Sequence, residues 1–474
     1  MQPYSPTTPG AEAEIRRRIR ERGPITFAEF MEVALYSPLG GYYCGGGSGR
    51  DGGGDSFSPS FGPSGDYYTS PMAHPAFGAL LAVQLYQFWL LLGRPNPFHV
   101  AELGAGNGQL SRDIIATAAD LPGGFSDSLI YLCLDRNPNP LSSPEEMEGS
   151  GRHKAGSRVS PLIADGTPLR KLRGCILSNE LIDAFPVHHV RMDQGQLKEV
   201  YIAEDSTSVP AAHQGRKDES EDFSRGEESA AEAAPLVEVL DEPSTPALAD
   251  RLDGLGIELA EGQVAEINLG LGEWAGSAAN SLASGFVVTI DYGRAASELY
   301  SAELRPRGTL TTYYRHVQND APLRNIGRQD ITSQVDFTSL ELAGQAAGLT
   351  HLGYTTQRRF LQNLGLDVLR RRVTSTPLPT SQRVANRAGL VALANPGGLG
   401  DFKVLVQGKG LPPTASDSVS LWGLSSLPEA LELVRSLPAP VLSHRHISLP
   451  QGWPSTGMQE LEINDLWANP FGDT

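Results

Sequence analysis

One stretch constrains the fold more than any other: residues 98–108, FHVAELGAGNG. An apolar run meets three glycines at alternate positions, and a helix-like pattern, QLSRDIIATAADL, begins at once. Such a pattern suits a strand that turns abruptly into a helix. Gly104, Gly106 and Gly108 permit that turn and let the backbone approach a ligand closely. The helix start then presents unpaired amides to the ligand. The theme repeats in LIYLCLDRNP, SPLIADG, GCILSNELIDAFPV and GFVVTIDYG, short apolar runs alternating with helical or polar segments. Buried runs of that length indicate a parallel sheet covered on both faces. The expected fold is α/β, a Rossmann-like, mostly parallel sheet of seven strands, with HLGYTTQ and DFKVLVQGKG as edge strands.

The flanks read differently. Residues 11–36 suggest two short helices broken at Gly23-Pro24, with Thr26 capping the second. Residues 44–64 are glycine-rich loop, and a long helix runs from about 75 to 92. It contains the most apolar long stretch, FGALLAVQLYQFWLLLG, but Gln84 and Gln87 interrupt it and no membrane-length run appears. A buried helix is expected there, not a span. Residues 205–235 are polar and acidic, with too little apolar surface to offset ordering entropy, and read as a disordered insertion. The expected organisation is a helical and loop cap (11–95), a main domain (96–410) with an inserted substrate-side cap (about 295–375), and a separate tail (411–474) of open role.

The formal charge of −17 argues against a general nucleic-acid binder. Twelve acids and three bases between residues 204 and 242 account for −9 of it, so the charge says little about the ligand surface. Three cysteines cannot build a disulfide framework, and Cys133 and Cys175 lie in strand-like runs as small core residues. A reducing cytoplasm fits, and the N-terminus has neither the apolar core of a secretory signal nor the acid-free composition of a transit peptide. No metal site is expected: His188 and His189 have no cysteine or carboxylate cluster at metal spacing. Arg370, Arg371 and Arg372 read as a solvated helix face.

The third glycine comes one residue too early for the dinucleotide GxGxxG pattern. The form E-x-G-x-G-x-G suits S-adenosyl-L-methionine, which has no pyrophosphate to cradle. Glu102 is a candidate for the ligand's cationic amino group, directly or through water. Asp135, ending the second run, is placed to accept both ribose hydroxyls, and Asp165, ending the third, to meet the adenine amino group. Ligands bind beyond the carboxyl ends of such strands, so Asn179 and Glu180 at the fourth should face the transferred methyl group. Asp183 is either a further acceptor-side acid or a helix-start acid favoured by the dipole. Asp291, ending the fifth, is either a substrate carboxylate or a hydrogen-bond acceptor behind the site. The required chemistry is in-line displacement at a sulfonium, which needs positioning and proton removal and no metal.

The chain resembles the MidA family of class I methyltransferases. The resemblance runs from about 15 to 410 through GPITF, YSP with GGYY, GDYYTSP, ELGAGNGQL, SNELIDAFPV, IDYG, GTL with Tyr313 and His316, DIT with VDF, and GDFKVL. It implies that the cofactor is S-adenosyl-L-methionine, that GDYYTSP (with Thr69 and Ser70) closes over it, and that Asn179, Glu180 and Asp183 stand at the substrate side. It also implies a protein substrate, with arginine methylated as in a mitochondrial member needed for respiratory complex I assembly. His316 is a candidate proton acceptor in the same cleft. Met72 and Gln334 depart from the family pattern, as does Asp135 in place of a more usual Glu. Two rival readings remain: a cofactor-binding assembly scaffold, and a nicotinamide-dependent oxidoreductase, which the glycine spacing disfavours. The oligomeric state is open, a homodimer included.

Overall fold

The structure is a computed structural model that describes residues 10–44, 69–137, 158–164, 166–205, 234–314, 317–412, 420–443 and 446. Its core is a seven-stranded sheet: β1 (Phe98–Leu103), β2 (Leu129–Asp135), β3 (Arg158–Ile163), β4 (Leu172–Asn179), β5 (Leu282–Asp291), β6 (Thr350–Thr356) and β7 (Lys403–Lys409). Across the sheet the order is β3-β2-β1-β4-β5-β7-β6. β1 to β5 pair in parallel, and β7 is antiparallel to both its neighbours. DFKVLVQGKG is therefore an interior strand, and HLGYTT alone forms that edge. The all-apolar VLV of β7 fits a position flanked on both sides.

Alternation along β1 divides the core into two layers. Phe98 and Val100 point to the layer of α3 (Ala76–Leu91) and α4 (Gln109–Ala118). Ala101 and Leu103 point to that of α5 (Leu271–Ser281) and α6 (Phe337–Ala346). In α3 every residue from Ala76 to Trp89 is buried, because a further layer closes over its outer side. That layer comprises the helices Gln357–Leu364 and Leu366–Ser375 and the C-terminal helix Pro428–Ser436. The two glutamines inside this apolar helix have partners: Gln84 Oε1 accepts from Gly423 N and Gln87 Oε1 from Trp422 N, both at 2.8 Å. The expectation of a separate tail thus changes for residues 420–443, which are docked on the core. Arg370 and Arg371 are exposed, as expected of a solvated face.

A second, antiparallel sheet was not legible in the sequence. It joins Gln196–Glu204 to Leu236–Asp241, His188–Asp193 and the two-residue strand Ile25–Thr26, and His188–Asp193 to Val264–Ile267. Helices α1 (Ala11–Arg22) and α2 (Phe27–Tyr36) pack on it through Ile19, Phe27 and Ile202. Thr26 caps α2 as expected, its hydroxyl accepting from Glu29 N at 3.1 Å. Most of the acidic insertion (206–233), the glycine-rich stretch after Cys44 and Asp165 lie outside the described residues, as does His316. The inserted cap is shorter than 295–375. Thr311–Tyr314, Val317–Asn319 and Asp330–Thr332 form a small three-stranded sheet beside the rim, whereas 337–375 supply α6, β6 and two core helices.

Phe88 on α3 stacks on Phe286 of β5 at 3.8 Å between ring centroids, both rings fully buried. Phe88→Ala should cost about 3–5 kcal/mol of stability, read as a lowered urea midpoint with little change in slope.

Candidate active site

β1 lies between β2 and β4, so the chain leaves β1 and β4 toward opposite ends of the sheet and their carboxyl ends open a crevice. A cleft of about 770 Å³ occupies it, walled by Gly104, Gly106, Asp135, Glu180 and Trp274 among others. The glycine loop takes the conformation its composition predicts: φ is 69° at Gly104, 51° at Gly106 and 71° at Gly108. These left-handed values disfavour any side chain. Gly104 and Ala105 amides donate to Leu134 O at 2.9 and 3.1 Å. A Cβ on Gly104 would lie 2.8 Å from Leu181 Cδ1.

Asp135 stands at the cleft wall. Its Oδ2 accepts from Gly106 N and its Oδ1 from Asn137 N, each at 2.9 Å, so one carboxylate ties the loop to the end of β2. Each oxygen keeps a second acceptor site for a ligand hydroxyl. Burial raises its pKa, and the two amides pull the other way.

Glu102 corrects the sequence reading. It follows Phe98 and Val100 onto the α3/α4 side of β1, is 4% exposed, and accepts from Tyr131 OH at 2.8 Å. It does not line the cleft, and burial raises its pKa to about 8. Its carboxyl braces β1 against β2 behind the loop and is not placed to hold the ligand's amino group.

The end of β4 and the turn after it bring together three of the expected residues, Asn179, Glu180 and Asp183. Glu180 has φ 51°, rare for a side-chain-bearing residue, and its amide donates to Ile290 O at 2.9 Å. Its Oε1 accepts from Asn179 Nδ2 at 3.0 Å and Ser70 N at 3.1 Å. Burial raises its pKa to about 8, and the nearby Asp183 charge adds to the rise. Asp183 is buried behind Glu180, hydrogen-bonded to the Tyr292 hydroxyl, its own pKa raised by burial. Asn179 Oδ1 and Asp183 Oδ1 are buried without a partner among the described residues.

Asp291 resolves to the second of its two readings. Fully buried, it accepts from Ile182 N at 2.9 Å, Leu181 N at 3.2 Å, Asp183 N at 3.4 Å and Tyr292 N at 2.9 Å. Its oxygens are spent on the backbone, so it shapes the turn and is not a substrate carboxylate. Ser70 likewise turns its hydroxyl away, to Gln357 Oε1 at 3.0 Å, and serves Glu180 through its amide. Neither Thr69 nor Ser70 is among the described residues lining the cleft, and 65–68 of GDYYTSP are outside them. His188 is bound to Glu199 at 2.7 Å, away from the cleft wall.

The sequence missed the aromatic side of the site as a unit. Tyr36 and Tyr43 stack at 5.5 Å and both line the cleft. Tyr36 OH donates to Ala184 O, and Tyr43 OH to Asp330 Oδ1, both at 2.8 Å. Arg136 lies 4.3 Å over the Tyr36 ring. Burial pushes the Tyr313 pKa up, and the charges of Asp330, Asp183 and Glu180 add to the rise, which groups these acids about one region. The only sequence signal was the clustering of YSPLGGYY, TTYY and DIT among the resemblance segments.

A family model described as "Putative S-adenosyl-L-methionine-dependent methyltransferase" matches residues 80–355. The chain belongs to this family. It is 26% identical over 435 residues to "Protein arginine methyltransferase NDUFAF7 homolog, mitochondrial" of Drosophila melanogaster, covering 87% of this chain and 88% of that protein. It is 24% identical over 429 residues to the human protein arginine methyltransferase NDUFAF7, covering 84% and 82%. Among solved structures it is similar to a Burkholderia thailandensis protein bound to S-adenosyl-homocysteine, at 26% identity and a TM-score of 0.67, covering 89% of this chain and 96% of that one. The protein is an S-adenosyl-L-methionine-dependent methyltransferase, and neither the scaffold nor the nicotinamide reading is favoured. Among the described residues no helix is long and apolar enough to cross a membrane. The residues present fit the cofactor: the cleft is of ligand size, its loop is bare of side chains, and Asn179 Oδ1 is orphaned beside Glu180.

Gly106→Val adds a β-branched side chain at φ 51° on the cleft wall. Calorimetry should find no S-adenosylhomocysteine binding to the folded variant; unchanged affinity would contradict the site. A second test concerns Glu102. Its neutral form contributes stability that is full below pH 4.5, the ordinary value, and is lost as pH rises through about 8. Glu102→Gln keeps the acceptor for Tyr131 without the titration. Its melting temperature should therefore rise relative to the unaltered protein between pH 4.5 and 8, whereas a constant difference would show that Glu102 does not titrate in this window.

Proposed function

We propose that the protein methylates arginine side chains of a protein substrate. The observation that carries this reading is Glu180, a carboxylate held on a strained backbone at the cleft wall beside the glycine loop. Two donors fix its Oε1, and no described residue bonds its Oε2. A carboxylate so oriented suits a guanidinium, whose planar N–H fork matches it. The Tyr36 ring on the same wall already carries one guanidinium, that of Arg136 at 4.3 Å, so the wall is of a chemistry that accepts such a cation. The names of the curated relatives point the same way.

S-adenosyl-L-methionine, when bound, would supply a methyl group on a sulfonium sulfur: the N–C bond would form in line as the C–S bond breaks and the sulfur leaves as a neutral thioether. Gly104, Gly106 and Gly108 would admit the cofactor's backbone-facing side, and Asp135 would accept from its ribose hydroxyls. Glu180 would orient the guanidinium and, once ionised by the arriving cation, take the proton that the methylated nitrogen gives up. Asn179 and Ser70 hold Glu180 in place, and Asp183 adds negative charge behind it. Asp165 at the adenine and His316 in proton acceptance stay part of this proposal on the sequence alone, both lying outside the described residues. We place the protein in a reducing compartment, the cytoplasm on the sequence reading, because Cys133 and Cys175 are buried free thiols; the relatives' names point to mitochondria.

Mass spectrometry of cells lacking the protein should show loss of specific methylarginines. Glu180→Gln, incubated with such a substrate and labelled cofactor, should lose at least about a hundredfold in rate while binding S-adenosylhomocysteine as before. Methylation retained by this variant would refute the role of Glu180.

A further inference from the structure

The C-terminal segment makes contacts that methyl transfer as described does not use. After the helix Pro428–Ser436 the chain continues across the α3/α4 side and reaches His446, which is 4% exposed. Ser443 N lies 3.1 Å from His446 Nδ1, which makes Nδ1 the acceptor and leaves the ring proton on Nε2. That Nε2 faces both Asp113 Oδ2 at 3.1 Å and the Gln109 side-chain nitrogen at 3.0 Å, and its proton goes to the carboxylate, since the amide nitrogen cannot accept it. Gln109, the first residue of α4, donates its side-chain amide to both oxygens of the same carboxylate at 3.2 Å. Asp113 is thus gripped by the tail on one side and on the other by the helix turn into which the glycine loop opens. It has no room to shift toward α3, because a Cβ on Gly78 would meet Asp113 Cβ at 2.5 Å.

A second anchor lies a few residues earlier. Leu442 N donates to Asn386 Oδ1 at 3.0 Å, and the same oxygen faces His74 Nε2 at 3.0 Å. His74 Nδ1 accepts from Ala76 N at 3.0 Å. Burial lowers its pKa to about 3, so the neutral ring donates through Nε2 to Asn386. His74 ends the short turn Ser70–Ala73, whose first amide holds Glu180. The two anchors therefore reach both halves of the site: the helix behind the glycine loop and the turn behind Glu180.

We infer that residues 437–443 together with His446 act as a strap, with His446 and Asn386 as positioning residues. The strap holds the cofactor loop and the acceptor-side turn at one fixed separation. This rests on the reading that the cofactor occupies the cleft at the glycine loop. Methyl transfer in line tolerates little misplacement of donor against acceptor, and a strap tied at two points by partly buried polar bonds favours one arrangement.

The test is calorimetric titration of the full chain with S-adenosylhomocysteine well below the melting temperature. His446→Ala should weaken binding about tenfold. His446→Gln should restore most of it, because its Nε2 reaches where the imidazole Nε2 sits. Asp113→Asn, which keeps the shape but loses the shared acceptor, should weaken binding like His446→Ala and serves if the alanine variant fails to fold. Unchanged affinity in a folded His446→Ala or Asp113→Asn, or a His446→Gln no better than alanine, overturns the strap alone. No binding by the unaltered protein overturns the cleft reading as well.

Discussion

The site depends on one buried carboxylate that touches no ligand. Asp291, at the end of β5, collects the amides of Leu181, Ile182 and Asp183 from the turn after β4. Those amides have no strand to pair with, and left bare in the core each would cost what an unmade hydrogen bond costs. By taking them, Asp291 lets β4 end in a sharp turn and carries Glu180 through a backbone conformation it would not otherwise adopt. The topology supplies the place for that turn: the order β2-β1-β4 opens the crevice, and the turn forms its far wall.

The same residue type does three jobs at this rim, and what divides them is where neighbouring donors point. Asp291 receives four amides and is structural. Glu102 receives one hydroxyl, on the far layer of the sheet, and braces β1 and β2. Asp135 and Glu180 meet donors on one side and the cleft on the other, the arrangement a ligand-binding acid needs. Asp183 is intermediate, with one oxygen orphaned.

This explains what was legible in the sequence. The five apolar runs, the glycine turn and the buried helix at 76–91 show in local pattern, because strand burial and turn geometry constrain consecutive residues. Asp291 and Glu180 look alike in that pattern; only the fold tells amide-bound from cleft-facing. Strand direction is equally silent, so Lys403–Lys409 reads as an edge although β5 and β6 flank it. The antiparallel sheet hides for another reason. RMDQGQLKEV is half polar because one face is wet, and one partner is only Ile25–Thr26, far away in the chain. The bond from Tyr43 to Asp330 spans 287 residues, beyond any local signal.

Electrostatics ties these parts to the proposed chemistry. A sulfonium and a guanidinium brought to about 4 Å repel by about 4 kcal/mol at the effective dielectric of a protein surface. Glu180 stands on the cleft wall where that repulsion would arise, with the Asp183 carboxyl near enough behind it to act on it. With no cation near, burial disfavours the ionised forms of Glu180 and Asp183, so charge in this region is costly until a cation arrives to stabilise it. The attraction is therefore conditional. It is strongest when both reactants are present, and it weakens as the sulfonium becomes a neutral thioether. The acids that help hold the donor do not hold the spent cofactor equally well. A rim of reluctant carboxylates thus favours the sulfonium form of the cofactor for binding and the neutral thioether for release, while the methylated guanidinium keeps its charge.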